Sequence, residues 1–64
     1  MTHAPTVEAI LLEGVHLLPP EMTDRYFALV AENIREMRDE DRHVRGLRRA
    51  VYSAVGRCRS EAIT

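Results

Sequence analysis

The segment MRDEDRH, residues 37–43, decides whether this chain folds as a bundle or a rod. Apolar residues recur at three- and four-residue intervals on both sides of it, so helix is expected before and after. Asp39 or Asp41 could open a new helix by accepting hydrogen bonds from the otherwise orphaned amides of its first turn. Yet no glycine or proline lies inside the segment to enforce a break. Val30, Met37, Val44, Val51 and Cys58 also keep one seven-residue phase straight across it. An unbroken helix over residues 20–62 would reach roughly 60 Å and could bury its stripe only against another chain. A turn at residues 39–41 is the favoured expectation and an unbroken helix the alternative; both favour a dimer.

Working upstream, Thr6 has the hydroxyl of a helix N-cap, and Val7, Ile10, Leu11, Val15 and Leu18 make one apolar stripe, which predicts a helix over 6–18. Pro19 and Pro20 close it. Proline disfavours helical geometry in the residue before it but suits the first turn of the next helix, where Glu21 complements the dipole. A second helix over 20–38 carries Met22, Tyr26, Phe27, Leu29, Val30, Ile34 and Met37 on a face broad enough for two neighbours. Downstream, Val44, Leu47, Val51, Ala54 and Cys58 form a narrower seam on a third helix over 42–62, with small residues that admit close backbone approach. The expected fold is all-α: three helices in one small domain spanning 1–64, with residues 1–5 and 63–64 disordered and the bundle completed by homodimerisation.

Length supports that last step. A chain of 64 residues buries only about 60% of the surface its unfolded form exposes, so a supplement to the core is usual. Cys58 is the single cysteine, which excludes an intrachain disulfide, and no Cys/His cluster has zinc-ligand spacing. Self-association is what remains. Its expected interface is Tyr26, Phe27, Val30, Ile34, Met37, Val44, Leu47, Val51, Ala54 and Cys58. The start of the chain lacks the basic and apolar regions of a secretory signal, and no run of 18 apolar residues occurs, so a cytoplasmic protein with no membrane partner is expected.

Net charge is −1, but residues 1–41 hold nine acids against three arginines, and residues 42–64 hold six arginines against Glu61 alone. Such a split suits a partner, the other half of the chain, or a second copy. On a helical wheel Arg42, Arg45, Arg49, Tyr52 and Arg59 form a row distinct from the seam, about 26 Å long. Guanidinium groups bind phosphate bidentately and tyrosine can stack on a base, so the row is a candidate surface for nucleic acid or for an acidic protein. It is equally the wet side of a helix in a protein whose basic residues are all arginine, or a row neutralised by Glu32, Glu36 and Glu40 of the second helix. Helix-turn-helix and ribbon-helix-helix patterns fit poorly, because the turn is acidic and no strand precedes the helices.

Glu13 and His16 have the Glu-x-x-His spacing of carboxylate-bridged metal sites, but the wheel points both away from the first stripe, as surface residues. Cys58 between Arg57 and Arg59 is expected to be a buried, inert thiol rather than an activated one. No catalytic constellation, cofactor motif or small-molecule substrate site is expected. The sequence is therefore read as a small cytosolic interaction protein, a regulator, adaptor or inhibitor, acting as a homodimer on an unidentified protein. The alternative is a dimeric nucleic-acid-binding regulator that uses the arginine row.

Overall fold

The computed structural model describes residues 6–63, and all regular structure among them is helical. Three α-helices, α1 (Val7–Val15), α2 (Thr23–Arg35) and α3 (Val44–Ile63), are joined through 3₁₀ turns at Pro20–Met22 and Asp39–Asp41. Thr6 caps α1 as expected, its hydroxyl accepting from the Ala9 amide at 3.1 Å. α1 ends earlier than its stripe suggests. Leu17 and Leu18 donate to Gly14 and Val15 at 3.0 and 3.2 Å, tightening the end into a 3₁₀-like turn before extended Pro19. Pro20 then opens a 3₁₀ turn, and regular helix begins only at Thr23. At the far end, α3 continues through Ile63, past the fraying expected there; residues 1–5 lie outside the described residues.

The segment 37–43 breaks, so the continuous helix is excluded. α2 stops at Arg35, Arg38 is extended (φ −70°, ψ 150°), and Arg42 leaves helical space (φ −83°, ψ 69°). Electrostatics favours this break. Three consecutive carboxylates at 39–41 are unfavourable at the negative C-terminus of α2 and favourable ahead of the positive N-terminus of α3. Packing then fixes it: a Cβ at Gly46 would collide with the Asp41 carbonyl oxygen and approach the Met37 sulfur at 3.2 Å, so the loop lies directly against the first turn of α3.

The cap of α3 is not an aspartate. His43 holds that position: its Nδ1 accepts from the Gly46 amide at 3.3 Å, and its carbonyl accepts from the Leu47 amide at 2.8 Å. Asp39 instead pairs with Arg42 at 3.2 Å. Replacing His43 with Ala is expected to destabilise the fold by about 1 kcal/mol, whereas Asn, which caps by the same geometry, should largely preserve it. Urea unfolding of the two variants checks the difference.

The helices run up, down and up. α1 lies parallel to α3, with Glu13 beside Arg48 and Tyr52 and Leu17 beside Arg59. α2 runs antiparallel to it: Asn33 Nδ2 donates to the Ala50 carbonyl at 3.1 Å, and Arg25 meets Glu61. Gly46, Ala50, Ala54 and Cys58, spaced by four, are all buried along α3 and admit the close approach of α2. The core holds Ile10, Tyr26, Leu29, Val30, Ala50, Val51, Ala54, Val55 and Cys58. Tyr26 is fully buried between α1 and α2; its hydroxyl donates to the Leu11 carbonyl at 2.7 Å and its ring covers Gly14.

This core relocates the seam. Tyr26, Val30, Val51, Ala54 and Cys58, expected to meet a second chain, are 0–3% exposed within one chain. α1 and α2 fold over α3 and cover them, so these five are intramolecular contacts.

Candidate functional site

Of the ten residues expected at the self-association interface, Ile34, Met37, Val44 and Leu47 come together elsewhere. With Val7, Ile10, Arg42 and His43 they line a cleft of about 370 Å³ at the end of the bundle where α1 and α3 begin and α2 finishes. α1 and α2 meet through Tyr26 against Leu11 and Gly14. At the cleft end α1 presents Val7 and Ile10, α2 presents Ile34 with Met37 just beyond its end, and the gap between them stays open. Val7 is 60% and Val44 40% exposed, so two aliphatic side chains stand on its lips. Phe27, at 41% exposure, lies one seven-residue step from Ile34 on α2, with its ring centroid 5.2 Å from that of Tyr26.

The polar groups of the cleft are engaged locally. Arg42 donates to the Ile34 carbonyl at 3.3 Å and pairs with Asp39, tying the loop to the end of α2. His43 Nδ1 is held by the Gly46 amide. The surface is an apolar hollow whose rim is fixed by hydrogen bonds.

The arginine row is divided. Tyr52 donates to Glu13 Oε2 at 3.2 Å and Arg59 to the Leu17 carbonyl at 3.4 Å, so α1 flanks one side of the row. Arg48, which the wheel leaves out of the row, shares the Glu13 carboxylate at 3.3 Å. Arg45 and Arg49 are exposed and have no hydrogen bond or ion pair among the described residues. Glu32, Glu36 and Glu40 do not neutralise the row: among the described residues none is ion-paired to α3, and Glu40 pairs with Arg38 at 3.7 Å. Glu13 is likewise corrected. It is half-buried and joins α1 to α3, whereas His16 is exposed and ends α1.

Two features escaped the sequence reading. Val55 completes the core on the α3 flank next to the seam, and Arg25 clamps Glu61 in a two-pronged ion pair at 2.9 to 3.2 Å across 36 positions. Such a pair has no local spacing by which to find it. The hydrogen bond from Arg25 and its positive charge hold the Glu61 carboxyl below the usual glutamate range. A lowered folded-state value means that the contribution is present above the unfolded value and disappears as pH falls through the folded one. The last turns of α3 are therefore expected to loosen on acidification, and Glu61→Gln should flatten that response. Amide hydrogen exchange near residue 61 across an acid series tests it.

Burial, followed by the Glu61 charge, pushes the Cys58 thiol upward, against the smaller opposing pull of Arg25 and Arg57. The side chain is fully buried, so its neighbouring arginines do not activate it. Among the described residues no helix is long and apolar enough to cross a membrane. Compared with known proteins, the chain matches no family model, no curated protein and no solved structure.

Proposed function

We propose that this chain is a small protein-interaction module, a regulator, adaptor or inhibitor, that binds through the cleft between the start of α1, the end of α2 and the start of α3. One observation carries this: an open hollow lined by Val7, Ile10, Ile34, Met37, Val44 and Leu47 at one end of the bundle, with Val7 and Val44 exposed on its lips. Contiguous exposed apolar surface marks sites where another molecule removes it from water. Covering a fully exposed aliphatic side chain is worth about 1.5–3 kcal/mol before the entropic costs of docking, so Val7, the most exposed aliphatic residue of the lining, has the most to contribute. The aliphatic lining and the engagement of Arg42 and His43 suit docking better than chemistry. A cytosolic setting accords with a single buried thiol that needs no oxidising compartment.

The test compares the native protein with Val44→Glu, which charges the lip without disturbing the core. Immobilised native protein is expected to retain a specific protein from the cells that encode it, and the variant to lose it. Equal retention by both would remove the cleft from consideration.

Exposed Arg45 and Arg49, lacking partners in the chain, support a second reading in which α3 tracks nucleic-acid phosphates. That alternative requires binding to mixed duplex or single strands that weakens with salt, with a log-log slope that falls by about one for each arginine replaced by alanine. Absence of binding at low salt eliminates it.

A further inference from the structure

We infer that His43 is a pH-sensitive latch on the cleft: the neutral imidazole holds the first turn of α3 closed, and protonation releases it. That the released surface is a binding surface rests on the function proposed above, whereas the latch itself rests on hydrogen-bond geometry. α3 begins at Val44, and its first amides have no partner within the helix. The Gly46 amide donates to His43 Nδ1 at 3.3 Å, and the Leu47 amide donates to the His43 carbonyl at 2.8 Å. A ring that accepts at Nδ1 is neutral and carries its proton on Nε2. Protonation places a hydrogen on Nδ1 as well, so the imidazolium cannot accept and the Gly46 amide loses its partner. Gly46 is itself buried against the Asp41 carbonyl, so water does not simply take the place of the lost acceptor. The new charge also stands at the positive end of the α3 dipole.

Placement gives this local event its reach. Val44 and Leu47 are the α3 residues of the cleft, and both belong to the turn that His43 caps. The groups facing the ring from the other helices do not titrate: α1 presents Val7 and Ile10, and the end of α2 presents Ile34 and Met37, while Glu8 on α1 and Arg35 and Glu36 on α2 are exposed and do not line the cleft. Charges of both signs flank it nearer by. Arg42 on the loop and Arg45 on α3 oppose an imidazolium, and Asp39, Glu40 and Asp41 favour one, although Asp39 is paired with Arg42 and Glu40 with Arg38. Only the cap bond exists in one form of the ring and not in the other. Its contribution is therefore present in neutral solution and lost as pH falls through the range in which histidines take up a proton, roughly pH 6–7.

Amide exchange resolved by residue, expressed as protection relative to an unstructured chain, tests this between about pH 7.5 and about pH 5, above the carboxylate range. Protection of Gly46 and Leu47 is expected to fall about fivefold, the worth of one cap, in step with the His43 ring resonances of the same samples. His43→Asn, which caps without titrating, should keep that protection down to about pH 5, and His43→Ala should lack it throughout. Unchanged protection in the native protein while the ring titrates overturns the inference, as does an equal fall in His43→Asn. The Arg25–Glu61 pair lies at the other end of α3 and responds at lower pH, so it does not produce this signal. The two readings fail separately. Flat protection at Gly46 with capture still lost on Val44→Glu removes the latch and leaves the binding module; falling protection with capture unaffected by Val44→Glu removes the binding module and leaves the latch.

Discussion

Gly14→Ala is expected to lower the melting temperature by up to about 16 °C and Gly56→Ala to raise it by up to about 8 °C, although both add the same methyl group to a helical residue. In α1, a Cβ on Gly14 would overlap the Tyr26 hydroxyl oxygen and come within 2.6 Å of its Cε1. The ring is 0% exposed and hydrogen-bonded to Leu11, so it cannot swing aside without giving up both. Overpacking of this kind costs about 1–3 kcal/mol or more, and it outweighs a helix-propensity gain that falls short of the ~1 kcal/mol of a helix interior because Gly14 is the penultimate residue of α1. At Gly56 nothing lies within 4 Å of the added carbon, and only the propensity gain remains. A Tyr26→Phe change should cost about 1 kcal/mol alone but less on the Gly14→Ala background, because it deletes the atom that clashes first. Thermal unfolding of the four proteins by circular dichroism decides the matter; equal shifts at the two glycines would show that Tyr26 does not pack as described.

Val51→Asp should abolish cooperative unfolding. Val51 is 0% exposed at the centre of α3, beneath both other helices, and a carboxylate there must be desolvated without a cation or protonated in an apolar site. Either route costs several kcal/mol, comparable to the whole stability of a chain this size at about 0.05–0.15 kcal/mol per residue. Val44→Glu, seven residues earlier in the same phase, should leave the monomer's stability nearly unchanged, since Val44 is 40% exposed and an acid suits the first turn of α3. Far-UV spectra and urea titrations of both variants suffice. A native-like transition for Val51→Asp would mean that the core is built on other residues.

These two valines show how much of the site was legible. Val44 and Val51 carry the same residue type and heptad phase, and sequence placed both in one interface. One is core and the other lip, because Val51 lies within the buried cluster shared by the three helices whereas Val44 lies at the open end of the bundle. The break at 39–41 was obscured for a related reason. The glycine that permits it is Gly46, outside the acidic segment, and its role depends on the Asp41 carbonyl folding back on it. His43 as the cap of α3 was hidden too, since imidazole is an uncommon cap beside two aspartates better suited to the task.

By itself the sequence determined that the chain is helical, that Thr6 starts the first helix, that the prolines turn the chain and that one face of each helix is apolar. These follow from periodicity and from hydrogen bonds between near neighbours, which a linear pattern records. Only the tertiary structure decided which apolar residues cover one another, which are left at the cleft, and which arginines find partners. Those outcomes depend on the packing of helices against each other, such as Tyr26 over Gly14 or Arg25 on Glu61, between positions with no fixed spacing along the chain.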